Sequence, residues 1–408
     1  MMHMRICLYS DTALPKLGGQ EFVVDALARE FLALGHEPVV FAPSPRKLSI
    51  RGEAYPYQVA RHPRFISTRF LVSWYRWFLL QLYRKQPFDV LHCHGIYAPA
   101  YLASLLRDKL PVPVVVTSHG GDIYEDNVRL QKTVVRDRCV RGLRSADALV
   151  AISRVTRDGF ARLCPEAAAR IVDIPNGVHL AAFAQRALPP LGWDYNLTPG
   201  SYAVFLGRLK HRKGVDVLLH ALTHISANGK TQLVVAGDGE DRRALERLAN
   251  ELGLHSRVRF LGSTTGQAKT YLLQNARFAI APSRESEAFP LVVLEAYASG
   301  LPMLATDIPG LADLVESEKT GLLVASDAPE ALAAGMRRLF TDDALAAHMS
   351  WHASQAVQNY DWTSVARRHV TLYEDVIAAR TPVVEAHRVR VGQETGVKSQ
   401  ESGVTSDS

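Results

Sequence analysis

Two successive series of alternating strand-like and helix-like segments constrain the fold of this chain more than any other feature. The first series has apolar strand runs at Met4–Ser10, Glu37–Ala42, Val90–His94, Val112–Ser118 and Ala148–Ile152. The second has strand runs at Ala203–Leu206, Gln232–Ala236, Val258–Leu261, Phe278–Ala281, Met303–Ala305 and Leu322–Val324. Apolar residues at helical spacing predict intervening helices, among them Glu21–Leu34, Val215–Ile225, Arg242–Leu252 and Leu291–Ser299. Because buried strands joined by helices form parallel sheets, the sequence predicts an α/β fold of two Rossmann-like domains that face a cleft.

The domain boundaries follow from shifts in composition. Residues 188–200, LPPLGWDYNLTPG, are rich in proline and glycine and are predicted to form a linker. This separates an N-terminal domain at residues 1–187 from a C-terminal domain at residues 201–361. The polar stretch 381–408 has no periodicity, so it is expected to be a disordered tail.

Composition and charge narrow the class of protein. The 408 residues are 47% hydrophobic, which is too many for a disordered chain. No apolar run reaches the roughly 18 residues of a membrane span. Four cysteines without metal-ligand spacing, and an N-terminus without a secretory signal, favour the reducing cytoplasm. Residues 1–180 carry 24 Lys and Arg against 16 Asp and Glu, whereas the remaining residues carry 23 against 25. The basic half favours an anionic partner or surface, although any single arginine is better explained as a solvated helix residue.

The most specific motif is the string ESEAFPLVVLEAYASGLPMLAT at residues 285–306. Pro290 suits the first turn of a helix, so Glu287 is expected in an exposed loop before that helix. Glu295 is then expected about a turn and a half inside it. Free N–H groups at a helix start bind anions such as a diphosphate, and a carboxylate there can bind sugar hydroxyls. The alternative is an ordinary helix with two solvated glutamates. The whole string favours the anion site over this alternative.

A second motif, FLGRLKHRKGVDVLLHAL at residues 205–222, places cations between a strand and a helix. Arg208 and Lys213 are the predicted phosphate ligands. The planar guanidinium of arginine can donate two parallel hydrogen bonds to phosphate oxygens, and the ammonium of lysine acts on them as a compact charge. Lys210, His211 and Arg212 are expected to be exposed loop charges. The glycine spacing and the Ser or Thr of a Walker A loop are absent.

Glycines and histidines also fall at predicted strand ends. The pair Gly18–Gly19 allows a bound group to approach the backbone closely, although a flexible loop explains the pair equally well. The run AGDGEDRR at 236–243 lacks the dinucleotide fingerprint, so no NAD site is inferred. His119 is expected to point into the cleft as a neutral imidazole that can hydrogen-bond a sugar hydroxyl. His92 and His94 are interpreted as buried structural residues, and no spacing predicts a metal site.

The order and spacing of these motifs together resemble a retaining glycosyltransferase of the GT-B fold, of the large family numbered four. The resemblance covers about residues 4–380. Its elements are the Gly18–Gly19 loop, the His119–Gly120 strand end, IPNGV at 174–178, GRL with Lys213, AGDG, and the acidic pair in EAFPLVVLEAYASGLP. It implies that the N-terminal domain binds the acceptor, that the C-terminal domain binds the nucleotide sugar, and that a last helix at 362–380 crosses back onto the N-terminal domain.

The resemblance assigns roles toward the nucleotide and its phosphates. It implies that Arg208 and Lys213 bind the donor diphosphate and that Gly19 lies beside it. It implies that Glu295 binds the nucleotide ribose. One position departs from the commonest form of the family. In many members an acidic residue directly follows the glycine pair, whereas here Gln20 follows it and Glu21 comes next.

The resemblance also assigns roles toward the reacting sugar. It implies that Glu287, with the backbone of Phe289, Pro290 and Leu291, binds the donor sugar and phosphate. His119 would contact the donor sugar near the reacting carbon. Glu287 and His119 are therefore the candidate catalytic residues.

The activity implied is transfer of a hexose from a nucleotide diphosphate sugar to a hydroxyl group, with retention at the anomeric carbon. The acceptor is expected to be a sugar, a lipid-linked or a small-molecule compound, in cell-envelope glycan, polysaccharide or glycolipid synthesis. No nucleic acid partner, metal or cofactor is expected, and front-face and double displacement both stay open. The alternatives are a nucleotide-sugar epimerase, a phosphorylase on the same fold, and a non-catalytic protein that binds nucleotide sugars or glycans.

Residues 61–85, RHPRFISTRFLVSWYRWFLLQLYRK, combine six Lys and Arg with aromatic residues. A basic segment interleaved with aromatics can lie in an anionic lipid interface, which predicts peripheral contact with the inner face of the membrane. The alternative is one apolar helix stripe, formed by Leu71, Trp74, Phe78 and Leu82, packed on the N-terminal core. Both interpretations hold if the arginines line the opposite face of the helix.

Overall fold

The computed structural model of the chain describes residues 2–15, 18–45, 55–63, 68–190, 197–226 and 232–397. Within these residues two parallel sheets form, and helices cover both faces of each sheet. The α/β fold of two Rossmann-like domains is thereby confirmed. Residues 191–196 of the predicted linker lie outside the described residues.

The first sheet has seven strands within the described residues, in the order β3-β2-β1-β4-β5-β6-β7. Its strands are β1 (Arg5–Ser10), β2 (Glu37–Pro43), β3 (Gln58–His62), β4 (Val90–His94), β5 (Val114–Thr117), β6 (Ala148–Ala151) and β7 (Ile171–Asp173). The helices of this half are α1 (Gly19–Ala33), α2 (Thr68–Lys85), α3 (Tyr101–Ser104), α4 (Thr133–Ser145), α5 (Arg154–Leu163) and α6 (Ala181–Ala184). The sequence pattern missed β3 and β7, because both are short edge strands whose mixed burial leaves no continuous apolar run.

The second sheet has six strands within the described residues, in the order β10-β9-β8-β11-β12-β13. Its strands are β8 (Tyr202–Leu206), β9 (Gln232–Ala236), β10 (Val258–Gly262), β11 (Phe278–Ala281), β12 (Met303–Thr306) and β13 (Gly321–Val324). The remaining helices are α7 (Val215–Thr223), α8 (Arg242–Glu251), α9 (Gly266–Asn275), α10 (Leu291–Ala298), α11 (Pro329–Thr341), α12 (Asp343–Ala356) and α13 (Trp362–Val397).

Both sheets contain a point where the strand order reverses, and these points locate the cleft between the domains. In the first sheet the reversal lies between β1 and β4, and in the second it lies between β8 and β11. Loops that leave the carboxyl ends of two such strands run in opposite directions, which opens a crevice between them. The loops after β1, β4, β8 and β11 therefore frame the cleft between the two domains.

The last helix, α13, packs against the N-terminal domain. Val365, Val370 and Tyr373 of α13 lie in one buried cluster with Leu27 and Phe31 of α1. The expected disorder from residue 381 is wrong as far as Val397, because α13 continues to that residue. Nucleation is the costly step of helix formation, and the packed first turns of α13 supply the nucleus. Residues 398–408 of the expected tail lie outside the described residues.

Helix α2 packs on the N-terminal core through part of the predicted stripe, because Phe78 and Leu82 contact the core cluster. The side chain of Leu71 lies outside the described residues. Leu79 is fully buried, and Val72, Tyr75 and Phe78 pack against the same cluster. Trp74 is 46% exposed, so the prediction that it belongs to a buried stripe is wrong. The segment is apolar around most of its circumference, and its sequence period therefore does not fix which face turns inward. In the part of the chain that the structure describes, no helix combines the length and apolar character needed to cross a bilayer.

Candidate functional site

A cleft of about 660 Å³ lies between the two domains at the carboxyl ends of their strands. Gly18, Gly19 and Phe22 contribute from the N-terminal domain, and loops of the second sheet form the opposite wall. Eight of the nine sequence-predicted site residues line this cleft: Gly19, Arg208, Lys213, Glu287, Phe289, Pro290, Leu291 and Glu295. The full lining of the cleft comes from seven separate segments of the chain, which converge on one surface large enough for a nucleotide sugar.

The loops after β8 and β11 meet because their strands are neighbours at the reversal point. Gly214, directly before α7, has φ +64°, and a Cβ there would lie 2.0 Å from the Pro282 carbonyl oxygen. Only glycine permits both the left-handed backbone and this close approach. The close packing at Gly214 brings the cationic loop against the acidic loop.

Lys213 and Glu287 form an ion pair at this meeting point. Lys213 Nζ donates to Glu287 Oε1 at 2.7 Å and to Oε2 at 2.6 Å, and the Ser283 hydroxyl donates to the same carboxylate. Burial acts to raise the pKa of Glu287, but Lys213 and Ser283 outweigh it and hold this pKa below its ordinary value. Glu287 is buried rather than in an exposed loop, because the Pro309–Gly310 turn packs over its backbone.

Glu295 is paired with a lysine that the sequence did not single out. Helix α10 begins at Leu291, directly after Pro290, and turns Glu295 toward the cleft. Lys269 of α9 donates to Glu295 Oε1 at 2.5 Å, and both side chains are about three-quarters buried. No motif marks Lys269. The one sequence signal for Lys269 is its position one turn into a helix that follows the carboxyl end of β10, since such positions lie beside the cleft.

The other cations of the loop after β8 have separate surroundings. Arg208 is exposed and lines the cleft, whereas Lys210 pairs with Glu240 at 3.2 Å. The expectation that Arg212 is an exposed charge is wrong. Its guanidinium donates to the Ser286 carbonyl at 2.7 Å and lies 5.9 Å from the ring centroid of Tyr124, in the N-terminal domain. Arg212 therefore connects the two domains beside the cleft.

The glycine loop is held at the reversal point of the first sheet by Gln20. Its Nε2 donates to Ser10 Oγ at 3.0 Å and to the His94 carbonyl at 3.1 Å, which ties the ends of β1 and β4 together. Glu21 is buried and accepts a hydrogen bond of 2.5 Å from Thr12. Gln20 and Glu21 thus shape the loop that presents Gly19 to the cleft.

His119 is the predicted site residue that does not line the cleft. Its Nε2 lies 3.0 Å from His94 Nδ1, and the two rings stack. Burial lowers the pKa of His119 to about 4, although Glu21 opposes this shift, so the imidazole is neutral at pH 7. The adjacent Gly120 has φ +100°, and a Cβ there would lie 2.2 Å from Ala288 Cβ. His119 is therefore carried on a loop that touches the Glu287 loop without facing into the cleft itself.

His92 and His94 are fully buried, as expected of structural residues. His92 Nδ1 lies 2.6 Å from the Tyr373 hydroxyl on α13, and its Nε2 lies 2.7 Å from Thr117 Oγ1. Among the described side chains, no three His, Cys, Asp or Glu residues converge in a way that could hold a metal ion.

Comparison with known proteins agrees with this geometry. Residues 17–182 match the family model described as Glycosyltransferase Family 4, and residues 196–355 match the one described as Glycosyl transferases group 1. The chain is 29% identical over 390 residues to a phosphatidyl-myo-inositol mannosyltransferase of Mycolicibacterium smegmatis, covering 92% of this chain and 95% of the relative. It is 30% identical to the protein of that name from Mycobacterium tuberculosis strain H37Rv, covering 72% of this chain and 76% of the relative.

A solved structure shares the architecture. The crystal structure of Anabaena HepE in complex with UDP and glucose superposes with a TM-score of 0.77 at 18% sequence identity, covering 91% of this chain and 100% of that one. At this identity the likeness concerns the fold, which is the two-domain GT-B arrangement.

Proposed function

We propose a reaction for this chain from one premise: it belongs to glycosyltransferase family 4. The chain is an enzyme that transfers sugars, and we infer that it transfers a hexose from a nucleotide diphosphate sugar to a hydroxyl acceptor, with retention at the anomeric carbon. The observation that carries the proposal is the cluster of Lys213, Glu287 and Arg208 in one cleft, opposite Gly19. The mannosyltransferase name of the mycobacterial relatives supports a hexose as the transferred group.

The cations of the cleft suit a diphosphate leaving group. As the bond between the anomeric carbon and the phosphate oxygen breaks, negative charge develops on the diphosphate and needs fixed donors. The Lys213 ammonium carries three N–H donors, and its two contacts to Glu287 use two of them. The third N–H donor can reach a phosphate oxygen, and the guanidinium of Arg208, on the same loop, can donate two further hydrogen bonds to the diphosphate.

The state of Glu287 favours a front-face displacement. A carboxylate that accepts hydrogen bonds from Lys213 and Ser283 has few lone pairs left for attack on carbon. We infer that the acceptor oxygen bonds to the anomeric carbon on the face that the diphosphate leaves, and that the departing phosphate oxygen takes the acceptor proton. The products are the glycoside and the nucleoside diphosphate. In this scheme Glu287 orients the sugar and Lys213 and does not form a covalent bond.

We propose the reducing cytoplasm as the compartment. The side chains of Cys7, Cys93, Cys139 and Cys164 are all buried and unpaired with one another. Buried free thiols are stable where glutathione and thioredoxin keep them reduced. The acceptor class proposed is a sugar, a lipid-linked or a small-molecule hydroxyl compound.

The test is a donor screen with two readouts. The full chain is incubated with UDP-, GDP- and ADP-hexoses, with and without polyol, sugar phosphate and phosphatidylinositol acceptors. Release of nucleoside diphosphate and the anomeric configuration of the product are measured. We expect release that requires an acceptor and a product that retains the donor configuration. An inverted product, release of free sugar without any acceptor requirement, or no release with any pair would contradict the proposal.

Two matched variants test whether the cleft carries out the sugar transfer. Glu287→Gln keeps the shape of the side chain and removes its charge, so the sugar and Lys213 lose their orienting partner. Turnover should fall by about 100-fold, which is the cost of misplacing the reacting groups by about 1 Å. Glu251→Gln removes an exposed acid at the end of α8, away from the cleft, and should leave turnover unchanged. Equal turnover in the two variants would remove Glu287 from the reaction.

A further inference from the structure

Helix α2 leaves two large aromatic side chains in solvent. Trp74 is 46% exposed and Trp77 is 49% exposed, and their rings pack edge to face with centroids 6.2 Å apart. Indole rings favour surroundings that are apolar on one side and wet on the other, as at a membrane interface. The pair therefore points to a surface that α2 binds.

The exposed face of α2 is also basic. Arg84 and Lys85, at the last turn, are exposed like the two tryptophans, whereas Leu79 on the opposite side is fully buried. At about 100° per residue, Trp74, Trp77, Arg84 and Lys85 span an arc of about 100°. One side of the helix thus holds α2 to the domain core, and the other presents tryptophans and cations together.

The charge of α2 indicates which kind of surface this face binds. The sequence of α2 contains four Lys and Arg and not one Asp or Glu. Arg76 is half-buried and lies about 100° or more around the helix from either tryptophan, outside this face. A face that combines indole rings with cations, on a helix without acidic residues, complements a lipid surface that carries phosphates and an apolar interior. An anionic bilayer offers both features to one face of a helix.

The position of α2 relates this face to the cleft. Helix α2 is the first helix after β3, and the carboxyl ends of all strands in this parallel sheet lie on the cleft side. Helix α2 runs from Thr68 to Lys85, so Trp74 and Trp77 lie near its middle and Arg84 and Lys85 lie in its last turn, away from the end that follows β3. A bilayer bound to this face would therefore contact the middle and the last turn of α2.

We propose that this face of α2, formed by Trp74, Trp77, Arg84 and Lys85, binds the surface of an anionic lipid bilayer. The tryptophans enter the headgroup region, and the two cations contact lipid phosphates. This inference concerns attachment and does not rest on the proposed reaction, because it can be measured without donor or acceptor.

The test is vesicle sedimentation of the full chain, with vesicles of phosphatidylcholine alone or mixed with phosphatidylglycerol. We expect binding to the mixed vesicles that weakens as salt rises, and little binding to phosphatidylcholine. The double variant R84Q/K85Q should bind about 30-fold more weakly, from about 1 kcal/mol for each basic residue near an anionic surface. The double variant W74S/W77S should also lose most binding.

Matched controls come from the C-terminal domain. Trp351 is 59% exposed on α12, and Arg243 and Arg247 are exposed on α8. The variants W351S and R243Q/R247Q should bind like the unmodified chain, and circular dichroism should show all four variants folded. Absence of binding at low salt, or equal losses in the α2 variants and their controls, would overturn the proposal. So would a dimer, seen by ultracentrifugation, that W74S/W77S dissociates while vesicle binding is unchanged.

Discussion

Lys213 and Glu287 are separated by 74 positions in the sequence, yet the lysine ammonium contacts both oxygens of the glutamate carboxylate. Their strands, β8 and β11, are neighbours where the strand order of the second sheet reverses. The pairing ties the residue predicted to bind the diphosphate to the residue predicted to bind the sugar. Because the two side chains touch, we expect a donor bound at Lys213 to lie beside Glu287 as well.

The first prediction concerns the cation of this pair. Lys213→Met should weaken donor use, because a charge-assisted hydrogen bond to phosphate contributes about 1.5 to 3 kcal/mol. That range corresponds to at least a tenfold fall in kcat/KM for the donor. Lys210→Met is the matched control, since Lys210 lies on the same loop and pairs with Glu240. Steady-state kinetics and donor titration calorimetry measure the effect. Equal values for the two variants would rule out the phosphate role of Lys213.

The second prediction concerns the carboxylate predicted to bind ribose. Lys269 holds Glu295 Oε1 at 2.5 Å, and both residues line the cleft. In Lys269→Met the carboxylate loses its orienting partner, so the donor KM should rise by about tenfold, or about 1.4 kcal/mol, with a smaller change in kcat. The preference for a ribose donor over its 2′-deoxy analogue should fall in parallel.

Lys319→Met serves as the control, because Lys319 is an exposed lysine whose partner, Glu316, lies outside the cleft. It should leave the donor KM and the ribose preference unchanged. A Lys269→Met enzyme that still discriminates fully against the deoxy donor would show that Lys269 does not act through the ribose.

The third prediction tests the contact between the two domains. A Cβ at Gly120 would lie 2.2 Å from Ala288 Cβ, whereas one at Gly121 would meet nothing within 4 Å. Gly120→Ala should therefore hold the loop of Glu287 away from the N-terminal domain and lower kcat. The φ of +100° should add a stability loss of about 1 to 2 kcal/mol.

Two further variants separate these effects. Gly121→Ala should keep both kcat and the thermal midpoint. The double variant Gly120→Ala, Ala288→Gly removes the clash with Ala288 and leaves the backbone strain and a contact of 2.9 Å with the Tyr124 hydroxyl oxygen. It should therefore regain part of the activity while its thermal midpoint stays low. Failure of Ala288→Gly to restore any activity would show that the contact is not what limits turnover.

The strands and the motif positions could be predicted from the sequence because each rests on local information. Buried strands such as Val90–His94 and Phe278–Ala281 were placed to the residue. The ion pairs could not be predicted, because they depend on strand order, and the sequence does not state that β8 lies beside β11. Once that order is known, the loops that carry Lys213 and Glu287 must meet.

Other details depend on packing that no local pattern encodes. The partner of Glu295 lies on another helix and carries no motif, so Lys269 was missed. The local sequence predicts a solvated charge at Arg212, since nothing in its loop reveals that Tyr124 lies opposite. In α2 the apolar residues surround the helix, and only the finished domain decides that Leu79 turns inward and Trp74 outward.

The last prediction is that acid destabilises the fold through its buried histidines. Burial lowers the pKa of His369 from 6.5 to about 4, although its hydrogen bond to the Val365 carbonyl opposes this shift. Between these values the unfolded chain binds a proton that the folded chain does not, so stability is complete above pH 6.5 and falls as the pH drops toward 4. His369→Gln should make this acid slope shallower by about 1.4 kcal/mol per pH unit. His348→Gln, at an exposed position on α12, should not. Urea unfolding at several pH values measures the slopes. Identical slopes in the unmodified chain and His369→Gln would mean that other groups govern the acid sensitivity.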